Sequence, residues 1–389
     1  MTENTPGTPE QNDSHDAAPA GDQVLPSGAR VEANVDADAP KGVSRRSLVT
    51  AGAVVAAAAG VGGWAFLRSQ DHDVQAATGT PTVTNSWAKK QLALVSPSGV
   101  CEAPLIAAYE KGLFKQAGLD VVLKKSGTDE DTTAAVGSSK YVASNGIFFN
   151  FLGPIYNGTP VKLSGGLHHG CLDLYSRNDG SVPTVASLKG KKIGVSNLQG
   201  SATNFFSLDL LDAGINSSPA AKQVEWVVIE QDLLPEALKS KKVDAIATAG
   251  GFLPIIQGVK DGWAKELSNN RNLSTNAAYP CCAVALNQTF VTQDPVTAAT
   301  LVSTWIEGSR WVGANLEEAA HLVTEKKYVS GKPEEALAVL RTLTFDPSTA
   351  SLHKALEPGI AKFIKTGFLP AATNPQVLAD KSFVDLKLA

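Results

Sequence analysis

The chain has 389 residues, too many for one ordinary core and enough for two lobes of roughly 100 to 150 residues each plus a tail. A hydrophobic content of 43% with 6% aromatics suits a soluble globular protein, and a formal net charge of -4 excludes a basic surface able to neutralise phosphates. Nucleic acid is therefore not an expected partner.

Residues 1–47 hold Pro, Gly, Asp, Asn, Thr and Ala with almost no apolar periodicity, so they cannot bury enough surface to offset the entropy of ordering and are expected to be disordered. They end in Ser44-Arg45-Arg46-Ser47, followed by an uncharged stretch, Leu48 to Leu67, rich in Ala, Val and Gly. Paired arginines before a mildly apolar segment point to twin-arginine export, with residues 48–76 as signal and release near Val74-Gln75-Ala76. The alternative is retention as an uncleaved anchor, since about 20 uncharged residues can span a bilayer. The first cysteine, Cys101, lies too far downstream for a lipoprotein. Residues 77–90 read as a linker.

From Gln91 short apolar runs alternate with helical segments, the signature of an α/β fold with mainly parallel sheets. Strands are expected at Gln91 to Ser96, Leu119 to Leu123, Tyr141 to Ala143, Val161 to Leu167 and Leu172 to Ser176. Helices are expected at Ala103 to Lys115 and Asp129 to Ser138. A second module repeats this pattern, with strands at Lys192 to Val195, Val224 to Ile229 and Val243 to Ala247. Its helices fall at Ser201 to Leu211, Leu233 to Ser240 and Phe252 to Gln257. After the run Cys281 to Leu286 come helices near 297–314, 316–327, 333–343 and 351–366, which need a sheet to pack on. The first module supplies one, so residues 91–180 and 281–389 form lobe 1 and 181–280 form lobe 2, with two crossings between them.

Ala103-Pro104-Leu105-Ile106-Ala107-Ala108-Tyr109-Glu110-Lys111-Gly112-Leu113-Phe114, then Ala117-Gly118-Leu119-Asp120-Val121, open a pattern continued by Leu188-Lys189-Gly190-Lys191-Lys192-Ile193-Gly194-Val195 and by Val243-Asp244-Ala245-Ile246. Over roughly residues 91 to 385 this resembles the substrate-binding proteins of nitrate, taurine and sulfonate ABC importers, and more loosely the thiamine-pyrimidine precursor family. The resemblance implies a two-lobed Venus flytrap that holds a small molecule in its cleft, performs no catalysis and delivers to an ABC permease and ATPase. The chain is further expected to be a monomer, carried by the twin-arginine translocase that Arg45-Arg46 points to, to the periplasm or cell surface. Thr248-Ala249-Gly250-Gly251 stands where family members often carry an aromatic or acidic residue, so the ligand stays open among organic anions, sulfonates, pyrimidine-like molecules and metal complexes. Two other readings are a thiamine-pyrimidine-synthase-like enzyme, suggested faintly by Pro280-Cys281-Cys282-Ala283, and a ligand-sensing receptor domain.

In open α/β sheets ligands sit beyond the carboxyl ends of the strands. That selects Ser96, Ser98 and Cys101 after the first strand, Asn145 and Gly146 after the third, and Ser201, Ala202 and Thr203 at a helix start in lobe 2. His168, His169 and Cys171 follow the fourth strand, and Cys281 and Cys282 open the return run. Thiols and imidazoles together suit Zn, Cu or Fe, so His168, His169, Cys171, Cys281 and Cys282 form a candidate metal set. A disulfide from Cys171 to Cys281 or Cys282 is the rival, as an exported chain meets an oxidising compartment. Adjacent strand residues point to opposite faces, so only one of Cys281 and Cys282 is expected to reach a given partner.

Overall fold

The computed structural model describes residues 87–127 and 130–388. The expectations for the disordered region, twin-arginine motif and signal segment lie outside the described residues. The expected linker does not extend to residue 90: Trp87–Lys89 forms a helical turn whose Trp87 amide donates to Asp294 and whose indole packs edge-on against Phe290 at 5.3 Å.

Ten strands build two five-stranded sheets. β1 (Leu92–Val95), β2 (Val121–Lys124), β3 (Ala143–Ile147) and β4 (Val161–His168) belong to the first, joined by β10 (Cys282–Asn287) in the order β2-β1-β3-β10-β4. β5 (Leu172–Arg177), β6 (Lys192–Val195), β7 (Glu225–Val228), β8 (Ala245–Ala249) and β9 (Ala264–Asn269) make the second, in the order β7-β6-β8-β5-β9. β1 pairs in parallel with β2 and β3, while β10 pairs antiparallel with both β3 and β4. The second sheet has the same plan, with β5 as its antiparallel member between β8 and β9. Each sheet is thus mainly parallel, and the strand that breaks the rule is in each case the one that has just crossed from the other sheet.

This topology moves one boundary. β5, assigned from sequence to a lobe 1 running to residue 180, pairs with β8 and β9 in the second sheet, so the first crossing is residues 169–171. An apolar run predicts a strand but carries no information about its neighbours. β9 was not expected, because Lys265 and Glu266 interrupt its apolar pattern on an edge strand that is half-buried there. Asn145 and Gly146, expected to follow the third strand, lie inside β3, since β10 extends the ladder through Val284 opposite Asn145 and Ala283 opposite Gly146. The first expected helix is broken in two, Ala103–Glu110 and Leu113–Gln116, with Gly112 between them at φ +70°.

The C-terminal helices pack on the first sheet as their pattern required. Pro295–Ala314 crosses Ala103–Glu110, and its Trp305 is fully buried with Leu92, Leu94, Leu105 and Val284. The largest apolar cluster is continuous between the sheets, from Phe148, Phe149 and Leu163 to Leu172, Leu174 and Phe205. Among the described residues no helix is long and apolar enough to cross a membrane.

Candidate functional site

The carboxyl ends of both sheets meet at the crossings. From the first sheet comes Asn150, just past β3, whose Nδ2 donates to Oγ of Ser201 at 2.9 Å; Ser201 begins the helix Ser201–Asp212 of the second sheet. Phe149 stacks on Phe205 of that helix, centroids 6.5 Å apart and planes 21° apart. A surface hollow lined by Tyr109, Phe114 and Asp120 among others shares no residue with this junction.

All four cysteines of the chain gather there. The Sγ atoms of Cys101, Cys171 and Cys282 lie within 4.8 Å of one another, and Cys281 Sγ stands 3.1 Å from Cys171 Sγ. All four are free thiols, and only Cys101 is partly exposed. Cys101 comes from the loop after β1, Cys171 from the first crossing, and Cys281 and Cys282 from the end of the second. Both adjacent cysteines reach the cluster, against the expectation from strand alternation, because Cys281 precedes β10 and the ladder to β4 is irregular at Cys282 and Ala283. The Cys281 amide donates to His168 O at 2.8 Å and its carbonyl accepts from Phe148 N at 3.0 Å.

Cys171 has φ +80° and follows Gly170 at +95°, an unusual pair of left-handed residues. A side chain at Gly170 would strike Thr342 O at 2.8 Å. The turn is held by Gly250 N donating to Cys171 O at 2.8 Å and by Leu172 N donating to Asn270 Oδ1 at 3.0 Å. Backbone strain of this kind costs about 1–3 kcal/mol and persists only where its surroundings impose it.

Hydrogen bonds divide the thiols. Donation from Cys171 and Cys282 holds Cys101 well below the usual thiol range, and bonds from the same two hold Cys281 low although burial opposes it. Burial above all pushes Cys171 up, and its bond to Cys101 does the same for Cys282.

The two histidines part company. His168 is fully buried at the end of β4, with Nδ1 3.9 Å from Cys171 Sγ and Nε2 lacking a hydrogen-bond partner. His169 turns away, its Nδ1 3.0 Å from Ala277 O.

The hydroxyl-rich loops are largely spent on themselves. Ser96 N donates to Lys124 O. Ser98 N and Gly99 N both donate to Oε2 of Glu102, at 2.8 and 2.9 Å, so the expected anion cradle already holds a carboxylate of this chain. Burial, then the charge of Cys101, push Glu102 up to about 7 against those two bonds. Thr203 gives its hydroxyl to Asn197 O at 2.7 Å, and Ala202 is buried. Asn145 keeps a buried Nδ2 without a partner.

Sequence reasoning missed a polar row one step from Cys171. Asp173 on β5 stands opposite Thr248 on β8 and Asn269 on β9, all three buried. Thr248 Oγ1, Asn269 Nδ2 and both Asp173 carboxylate oxygens find no hydrogen-bond partner. Burial and the neighbouring Glu266 carboxyl push Asp173 up to about 8, with Arg271 pulling the other way. Register, which the sequence does not carry, is what aligns them.

Comparison places the chain among known proteins. The profile of the family described as NMT1/THI5 like matches residues 102–319, more than half of the chain. Sequence comparison with curated proteins finds no match. Among solved structures, the periplasmic aliphatic sulphonate binding protein SsuA from Escherichia coli superposes with a TM-score of 0.61 at 12% identity, over 76% of this chain and 92% of that one. The putative periplasmic sulfonate-binding SsuA from Methylobacillus flagellatus KT gives 0.57 at 16% identity, over 75% and 93%. The periplasmic nitrate-binding protein NrtA from Synechocystis PCC 6803 gives 0.55 at 17%, over 75% and 85%. At these identities the structures share a fold, a two-sheet periplasmic binding protein architecture, and the profile match assigns the lineage: the chain belongs to the NMT1/THI5-like family.

Proposed function

We propose that this chain is the solute-capturing component of an ABC importer, working outside the cytoplasmic membrane and performing no chemistry on its cargo. The observation that carries this reading is the junction itself: two sheets of identical plan, crossed twice by the chain, turn their carboxyl-end loops toward each other. A receptor of this type needs only a ligand that binds the closed arrangement better than the open one. The family membership and the sulfonate-binding and nitrate-binding proteins that share the fold support the same role. Export by the twin-arginine route, a monomeric state, and delivery to a permease with its ATPase complete the reading.

The ligand is a small molecule that meets Asn145 and Ser201 across the junction. A simple anion held by the loop after β1 fits poorly, because Glu102 occupies those amides. Thermal-shift screening of the mature chain against sulfonates, nitrate, pyrimidines and metal complexes, followed by calorimetry, tests the proposal. One compound should raise Tm in a saturable way and lose affinity when Ser201 is replaced by a bulky residue. Turnover of any compound in the panel would refute it.

A further inference from the structure

We infer that Cys101, Cys171, Cys281 and Cys282 form a binding site for one thiophilic d10 cation, Zn2+ or Cu+. Tetrahedral coordination with metal–sulfur bonds of about 2.3 Å places sulfurs about 3.8 Å apart. Three of these sulfurs lie within 4.8 Å of one another, about 1 Å from that spacing, and the fourth, Cys281 Sγ, is 3.1 Å from Cys171 Sγ at the edge of the group.

The anchors are rigid. Cys282 lies in the ladder between β3 and β4, directly opposite His168, and Cys281 is pinned through both its amide and its carbonyl. Cys171 is held in a left-handed conformation that a non-glycine residue adopts only under constraint. Four thiols from three separate segments, including both crossings, have no need to converge for packing alone, since any small apolar side chain would fill the same space.

His168 is the independent sign. It is fully buried with Nε2 unpartnered, and its Nδ1 lies 3.4 Å from His169 O and 3.9 Å from Cys171 Sγ, close enough for the ring to hydrogen-bond a ligating thiolate. Soft sulfur donors select against Mg2+ and Ca2+, which require oxygen. Partly exposed Cys101 supplies the way in. Binding releases the thiol protons to solvent, with no redox step. The site stands independently of the importer reading, because it is measured on the isolated chain.

The test uses the full-length chain, reduced and kept anaerobic, titrated separately with Co2+, Zn2+ and Cu+. Co2+ should give a thiolate-to-metal charge-transfer band saturating at one equivalent and abolished by Zn2+ or Cu+; whichever of the two wins a direct competition is the preferred metal. Alkylation with iodoacetamide read by peptide mass spectrometry should show all four cysteines protected together by the metal, a readout that needs no variant. Cys101→Ser and Cys282→Ser should each weaken binding at least about tenfold while the metal-free melting temperature stays within a few degrees. Equal alkylation with and without metal would overturn the inference, as would a titration with Co2+, Zn2+ and Cu+ that shows no saturation.

Discussion

Gly308 lies mid-helix in Pro295–Ala314, where that helix crosses Ala103–Glu110, the helix that directly follows Cys101 and Glu102. A Cβ at Gly308 would stand 2.3 Å from Pro104 O and 3.0 Å from Ala108 N, backbone atoms that cannot rotate away. Relief to ordinary contact requires the helices to part by about 1 Å, enough to forfeit a quarter to a half of the dispersion energy between them. Alanine gains about 1 kcal/mol of helix propensity over glycine, and overpacking against backbone costs about 1–3 kcal/mol, so Gly308→Ala should lose up to about 2 kcal/mol net. Gly359, mid-helix in Thr349–Lys365, is the counterpart: its added Cβ would meet only Tyr279 and Phe148 ring carbons, at 3.7 and 3.9 Å, ordinary contacts. Gly359→Ala should gain up to about 1 kcal/mol. Calorimetric Tm should move in opposite directions, by roughly 2–4 °C per kcal/mol in a protein of this class. If Gly308→Ala stabilises as Gly359→Ala does, the close crossing is wrong, and with it the rigid seating of the Cys101 loop.

Three further outcomes follow from particular contacts. Asn150→Ala and Ser201→Ala, singly and together, should show a coupling of about 1 kcal/mol in a urea double-mutant cycle; additivity would mean that the bond across the junction contributes nothing. Arg177 is buried, and its Nη1 donates to Leu238 O and Val243 O, so Arg177→Lys should cost about 2 kcal/mol by orphaning at least one carbonyl, read as a lower urea midpoint. Burial raises Asp209 above its ordinary 3.8 although Ser268, Ser274 and Asn276 donate to it. At this group the folded chain then binds more protons than the unfolded one, so its contribution to stability is largest below about pH 4 and falls with rising pH until the folded pKa is passed, by about 1.4 kcal/mol per unit of elevation. Asp209→Asn should make the fall of Tm above pH 4 shallower, leaving the part that Asp173 and Glu102 contribute, and a slope unchanged by the substitution would show that Asp209 is not among its sources.

The parallel sheets and their helices were legible because apolar runs and helical periodicity are local, and so were the return run from Cys281 and the helices that follow it. Pairing was not, because partnership is a property of two segments: Leu172–Arg177 reads as a strand from either side of the crossing. The cysteines were legible as a group near the junction, since each follows or opens a strand. Their sorting was not, for it depends on side-chain direction. Cys101 joins the sulfurs while His169 leaves for Ala277 O, and Glu102 takes amides that composition alone offers to an outside anion.

β10 is inserted between β3 and β4, and 110 residues separate Cys171 from Cys281. A chain growing from its N-terminus therefore completes all five strands of the second sheet while the first still lacks an inner member, and β3 and β4 have no common neighbour until Cys282–Asn287 arrives. The late strand closes the first sheet and delivers half of the sulfurs in the same stroke. Cys101 and Cys171 spend the interval without the other two thiols, open to pairing with the wrong partner, which makes assembly under reducing conditions the safer order of events.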